Sequence, residues 1–390
     1  MSPKVRLTLI KVGLMIAAPV LALLVAYGVT TLILVLAGDP AGEVWAQILS
    51  WPADRNLINI INAGSVYYLS GLAVAIGFRM NLFNIGVDGQ YRITAFVAAV
   101  IAGEAWLPGY LNTALAVVAA MLVGAAWAGI AGLLRVTRGV SEVISTIMLN
   151  AISTALVAFL LRKWALKAEG SNDIGTTPIP EGSRIPGFSI AGVTTEIYGF
   201  VIVAVIMGVI YSVVLNRTRF GFDLRATGRS ETAAIASGVS VKRMIVISML
   251  LSGAVAGLVG LPILFGEAFR YGSTFQSGLG FAGIAIALLG RNNAIGIALG
   301  ALLFAFLDEQ SNPLQIVVDV SPQIVEITQG VIVLAVVIAY EVVGRWRSRI
   351  EQNTAGRELG TAGGATGGPP DGPPDPDAPS GSNTRKEVSA

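Results

Sequence analysis

Two asparagines, an aspartate, a glutamine and two glycines fall within ten residues, Asn81-Leu82-Phe83-Asn84-Ile85-Gly86-Val87-Asp88-Gly89-Gln90, between two apolar runs. The chemistry open to the amides is hydrogen bonding to an uncharged polar solute, because Asn and Gln donate and accept without the far larger cost of burying an ion. Polar side chains and helix-loosening glycines persist at membrane depth only where protein or a water-filled cavity surrounds them. A short polar break between two hydrophobic half-segments is also the pattern of a transporter's binding region. The same residues are equally compatible with an ordinary cytoplasmic turn between two spanning helices.

The elements that must position this stretch are set by composition. Of 390 residues, 54% are apolar and only 13% charged, against about 25% charged in a soluble domain. The chain reads as an all-α integral membrane protein of the plasma (inner) membrane, multi-pass, with one membrane domain over 1–350. A net charge of +2 gives no basis for a nucleic-acid partner. The absence of Cys excludes disulfides, Cys-ligated metal and thiol chemistry. The absence of His removes the commonest general base, metal ligand and pH switch. No cofactor is expected, and no Gly-Lys dipeptide exists to build a phosphate-binding P-loop.

About 20 apolar residues cross a bilayer. That rule places ten segments, at 12–37, 57–78, 86–103, 111–134, 142–161, 197–215, 244–265, 277–290, 293–307 and 323–343. The third, eighth and ninth are shorter than a full span and read as broken, tilted or partly re-entrant. Lys4, Arg6 and Lys11 precede the first, which is too long for the roughly 7–15-residue core of a signal peptide and reads as an uncleaved helix starting in the cytoplasm. Of the 26 Lys and Arg, only Arg55, Arg162, Lys163, Lys167, Arg184 and Arg270 fall in outer loops and Arg92 within a segment. This asymmetry favours both termini inside.

The outer loop at about 162–196, rich in Gly and Pro, reads as an ordered cap or a flexible connection. The tail after about 352, assigned as 351–390, reads as disordered. Ser70-Gly71-Leu72-Ala73-Val74-Ala75-Ile76-Gly77 echoes Ser252-Gly253-Ala254-Val255-Ala256-Gly257, either as an inverted repeat or as a chance likeness of small-residue runs. Gly253 with Gly257 and Gly296 with Gly300 permit close helix packing. Asp308 and Glu309 fall at an outer helix end where water can solvate them, and Trp45, Trp51 and Trp106 suit an interfacial belt. In the largest inner loop, 216–243, the signals for a short helix over 231–237 are Ser230 as cap, Glu231 at the positive end of its dipole and Gly238 as stop. Such a helix could seat in a groove on a cytoplasmic partner, or the loop could simply be a solvated, positive-inside connection.

Four stretches, in order, resemble ABC-transporter permeases of the nucleoside and simple-sugar uptake family (ribose-type, branched-chain amino-acid-permease-like). They are the 81–90 stretch, Glu142-Val143-Ile144-Ser145-Thr146-Ile147-Met148-Leu149-Asn150, the span from Arg225-Ala226-Thr227-Gly228 to Ser252-Gly253-Ala254-Val255-Ala256-Gly257-Leu258, and Ile284-Ala285-Ile286-Ala287-Leu288-Leu289-Gly290-Arg291-Asn292-Asn293. The resemblance covers roughly 10–345, and Asn-Ile-Gly-Val-Asp-Gly-Gln favours the nucleoside branch. The family usually has Glu where this chain has Asp88 and often Pro where it has Ala294.

The resemblance implies a non-catalytic half-channel paired with a second homologous permease subunit. A cytoplasmic ATP-binding subunit drives it, an extracytoplasmic substrate-binding (lipo)protein delivers solute, and membrane lipid surrounds it. On that reading Asn81, Asn84, Gly86, Asp88, Gln90, Ser145, Thr146 and Asn150 border a weakly polar path, and Arg225, Gly228, Glu231, Thr232, Ala233, Ala234 and Gly238 couple to the ATPase. For Ser145 and Thr146 the competing role is back-bonding to their own helix, and for Asn84 and Asn150 it is inter-helix hydrogen bonding. The rival function is ion- or proton-coupled secondary transport, for which Asp88 and Glu142 are the ionisable candidates. A membrane-embedded enzyme lacks His, Cys and paired intramembrane carboxylates.

Overall fold

In hydrocarbon a chain must satisfy its backbone N–H and C=O groups within its own segment, so long apolar stretches become helices. The computed structural model describes residues 3–167, 174–339, 342–343 and 345, with side chains from residue 20 onward. The chain divides into two units, one of Met1–Ile16 with Tyr340–Ala390 and one of Ala17–Ala339. The second carries the helical bundle. The tail at 351–390 lies outside the described residues.

Helix α1 (Pro3–Ala37) leads through a short α2 (Ala41–Ile48) to α3 (Asp54–Phe78), α4 (Val87–Glu104), α5 (Tyr110–Arg138) and α6 (Glu142–Trp164). After the outer loop come α7 (Phe200–Arg217), α8 (Arg219–Arg229), α9 (Glu231–Ala236), α10 (Val241–Ala256) and a one-turn α11 (Leu261–Ile263). The last are α12 (Leu279–Leu289), α13 (Ala294–Ser311), a short α14 (Leu314–Val317) and α15 (Gln323–Ala339). Over their described residues the ten apolar segments read from the sequence coincide with helical structure, the seventh with α10 and α11 rather than one helix. Among the described residues, seven helical stretches are long and apolar enough to cross a membrane.

Burial sets the centre. The apolar windows of α3 and of the stretch from α10 onward are 83% and 72% buried, against 22–33% for α1, α5, α6 and α7. Small residues let the central helices approach. A Cβ on Gly124 of α5 would lie 2.2 Å from the Gly253 carbonyl oxygen of α10, and one on Gly253 2.2 Å from the Gly124 oxygen, so Gly253 serves backbone contact. The two echoing stretches face each other here, with the Ser252 hydroxyl donating to Ala73 O at 2.6 Å.

Three details differ from the sequence reading. α13, read as 15 residues, is an 18-residue helix of about 27 Å at 1.5 Å per residue, whereas α4 keeps the 18 residues read for it and α12, with 11, is too short to span. The seventh segment, read as one continuous helix, is interrupted: α11 passes into a π-helical turn, Leu264–Ala268, which stops at Phe269 in the left-handed region (φ +48°). Asp308 and Glu309 are partly buried, accepting from the Tyr67 hydroxyl (3.0 Å) and Asn59 Nδ2 (2.9 Å).

The 162–196 loop is ordered where it is described. Leu166–Lys167 (β1) pairs antiparallel with Ile174–Gly175 (β2), and Phe188–Ser189 (β3) with Glu196–Ile197 (β4). It also holds the irregular stretch that follows the π turn: Thr176 N–H donates to Tyr271 O at 2.9 Å and Ile179 N–H to Phe269 O at 2.7 Å.

Candidate functional site

The 81–90 stretch is the turn from α3 into α4, and it is held by its own amides. Asn84 Nδ2 donates to Gln90 Oε1 (3.0 Å) and Gln90 Nε2 donates back to Asn84 Oδ1 (2.9 Å). Asn84 also donates to Ser252 Oγ (2.8 Å) and accepts from Gly86 N–H (3.1 Å). Both amides are at most 1% exposed, so each of these bonds replaces one that water cannot make. Asn150 closes the far side of the turn. Its Nδ2 donates to Ile85 O and its Oδ1 accepts from Gly89 N–H, both at 2.9 Å.

The remaining path candidates lie around this knot in different roles. Asn81 is exposed and left-handed (φ +59°), a conformation Asn tolerates. Ser145 and Thr146 are buried and donate back to Ser141 O (3.0 Å) and Glu142 O (2.7 Å) within one turn of their helix. Asp88 is 4% exposed, paired with Arg92 Nε at 3.1 Å, and accepts from Gly280 N–H at the start of α12 (3.4 Å). A carboxylate suits the positive end of that half-helix. Arg92 falls outside the path residues read from the sequence, although its i+4 spacing from Asp88 is the signal for such a pair. Ser252 carries no signal beyond the echo.

The second carboxylate is also engaged. Glu142 is 4% exposed, accepts from Phe83 N–H (3.3 Å) and pairs with Arg135 at the end of α5. Arg135 lies in turn 3.9 Å from Glu231 of α9. Among the described residues no group of three or more His, Cys, Asp or Glu gathers to hold a metal.

The 216–243 loop folds as two capped helices. Thr218 Oγ1 accepts from Gly221 N–H (3.1 Å) at the start of α8, and Ser230 Oγ from Ala233 N–H (3.3 Å) at the start of α9. Gly238 ends α9 at φ +81°, which only glycine adopts without cost. Gly228 presses α8 onto the end of α3, where an added Cβ would lie 2.4 Å from Arg79 O and 3.0 Å from Met80 Cα. Between α8 and α9 runs a groove of about 660 Å³. Along this hairpin Phe222 is 64% and Ile235 61% exposed, and Arg225 Nη1, at the groove, has no hydrogen-bond partner among the described residues. The hairpin thus connects indirectly to the 81–90 turn by two routes. One is steric, through Gly228 on Arg79 and Met80; the other is ionic, from Glu231 through Arg135 and Glu142 to Phe83.

A multi-pass helical bundle with a buried polar hinge, a short half-helix and an exposed helical hairpin has the build of a membrane permease subunit. The chain belongs to the family described as the permease component of the branched-chain amino acid transport system, whose model matches residues 56–339. It is 36% identical over 279 residues to the guanosine ABC transporter permease protein NupP of Bacillus subtilis (strain 168), covering 71% of this chain and 79% of that protein. It is 31% identical over 279 residues to the nucleoside ABC transporter permease protein NupB of Lactococcus lactis subsp. cremoris (strain MG1363), covering 70% and 76%. It is also 31% identical over 351 residues to the glucose ABC transporter permease protein TsgB13 of Haloferax volcanii, covering 87% and 91%. The chain is a multi-pass membrane permease component of an ABC importer.

Proposed function

We propose that the chain forms half of the translocation path for nucleosides or related simple sugars, in the inner (plasma) membrane. A second homologous permease subunit completes the path, a separate cytoplasmic ATP-binding subunit hydrolyses ATP, and an extracytoplasmic binding (lipo)protein delivers the solute. The carrying observation is the α8–α9 hairpin, which exposes the apolar Phe222 and Ile235 and reaches the approach to the 81–90 turn through Gly228 on Arg79 and Met80 and through Glu231 beside Arg135. Arg225, Gly228, Glu231, Thr232, Ala233, Ala234 and Gly238 then couple nucleotide-driven closure to helix movement. Asn81, Asn84, Gly86, Asp88, Gln90, Ser145, Thr146 and Asn150 border the path; in this conformation the buried amides bond to one another and to nearby backbone.

The ion-coupled alternative needs a carboxylate free to exchange protons, yet Asp88 and Glu142 are each paired with an arginine. The test is uptake by proteoliposomes holding the complex co-purified with the products of neighbouring genes. ATP-dependent accumulation of nucleoside or sugar is the expected result; accumulation driven by a proton or sodium gradient without ATP would overturn the reading. Joint replacement of Glu231, Ala233 and Gly238 should leave an inserted protein whose partner hydrolyses ATP without uptake.

A further inference from the structure

Beside the Asp88–Arg92 pair lies a chamber of about 360 Å³, between the outer half of α6 and the irregular stretch after the π turn. That volume falls within the roughly 300–1,000 Å³ of small-molecule sites. Arg92, Thr154, Tyr271, Ser273 and Phe275 line it. The Tyr271 and Phe275 rings stack with centroids 4.7 Å apart and planes 24° apart, and Phe96 meets Tyr271 edge-on at 5.8 Å.

The aromatic pair is held rigidly. Thr176 N–H donates to Tyr271 O (2.9 Å), Tyr271 N–H donates to Thr176 Oγ1 (3.1 Å), and the Tyr91 hydroxyl donates to Gln276 O (2.9 Å). Arg92 is held by Asp88 through Nε while its side chain remains 23% exposed. A guanidinium is a planar fork of five N–H donors. Asp88 offsets the Arg92 charge, and the exposed Arg162 also lines the chamber, so the donors there suit a ligand with a carbonyl or ring-nitrogen edge. Flat aromatic faces, a planar donor and two hydroxyls together fit a planar heterocycle carrying a polar substituent.

We infer that this chamber is a base-stacking subsite for a nucleoside: the ring lies on the Tyr271–Phe275 pair, its acceptor edge meets Arg92, and the sugar hydroxyls meet Thr154 and Ser273. The inference rests on the importer reading and sharpens its substrate class. A simple sugar has no planar π ring and no ring-nitrogen or carbonyl edge for Arg92, so the chamber favours the nucleoside branch.

The test uses the assembled complex in proteoliposomes with guanosine, uridine, ribose and glucose as probes. Tyr271→Leu and Phe275→Leu keep the apolar bulk and remove the ring. The KM for guanosine and uridine should rise about tenfold in each, the size of one base–aromatic stack, with the maximal rate largely preserved. Arg92→Lys keeps the ion pair and should raise the guanosine KM more than the uridine KM. An unchanged KM in both ring variants, or a wild-type complex that carries only sugars, overturns the chamber while leaving ATP-driven import intact. Should the variants fail to assemble, photolabelling of the wild-type complex with 8-azidoguanosine decides. Label at 271–275 or on α6 around Thr154, competed by guanosine, supports the subsite, and label confined elsewhere overturns it. Gradient-driven uptake without ATP would sink the importer reading instead, and the labelled position would still judge the chamber.

Discussion

The 81–90 turn and the α8–α9 hairpin are joined through Arg79, Met80, Arg135 and Glu142 and are built on opposite rules. In the turn, Asn84, Gln90, Asn150 and Ser252 satisfy one another and the backbone with water excluded. In the hairpin, Phe222 and Ile235 are 64% and 61% exposed, an apolar surface with nothing over it among the described residues. A saturated network resists independent rearrangement, because breaking one bond strands several buried groups. An unsaturated surface gains free energy when something covers it. The contrast implies a division of labour. On the proposed function, the turn serves as a hinge that moves as a piece and the hairpin as the place where a partner takes hold.

The greatest loss is expected in the hinge. In Gly89→Val a Cβ would sit 2.3 Å from Ser153 Oγ and 2.7 Å from Asn150 Cα, forcing α4 from α6. A loss of at least about 3 kcal/mol is expected, read as loss of a monodisperse peak in detergent. A wild-type melting curve would show that the packing there is loose. Next is Asn84→Ala, which strands Gln90 and Gly86 N–H and should cost about 2–3 kcal/mol. The Asn84–Gln90 double-mutant cycle refines this, since a coupling near zero would mean the amides act independently.

Asp88→Asn should cost less, about 1 kcal/mol, because the amide keeps one of the two acceptor oxygens and Arg92, 23% exposed, can turn to water for the bond it loses. Expression should be normal and uptake impaired; wild-type uptake would remove Asp88 from the path. Least costly for the fold is Phe222→Ser with Ile235→Ser, within about 0.5 kcal/mol for exposed sites. This pair should nevertheless abolish co-purification of the ATP-binding subunit, and retention of that partner would erase the contrast between the two regions.

Much of this arrangement is legible in the sequence because local rules decide it. Ser230 and Gly238 mark α9 by capping chemistry, and the structure places that helix at Glu231–Ala236. Ser145 and Thr146 back-bond as buried helical hydroxyls do. What is not legible depends on contacts far apart in the chain. The break after α11 is stabilised by Thr176 and Ile179 of the outer loop, so no local pattern announces it. Asp308 and Glu309 look solvated at a helix end, yet Tyr67 and Asn59 of α3 reach them. Tyr271 and Phe275 come to Arg92 only because that broken stretch folds back toward α4 and α6.

On this division of labour, force on the hairpin reaches the hinge through the Gly228 contact. The quantity that reads it is solute accumulated per ATP hydrolysed by the assembled complex carrying Gly228→Ala, whose added methyl would sit 2.4 Å from Arg79 O. If the contact transmits the motion, hydrolysis persists while uptake per ATP falls by about tenfold, equivalent to about 1.4 kcal/mol of lost coupling. A wild-type ratio in an intact complex would refute transmission through Gly228.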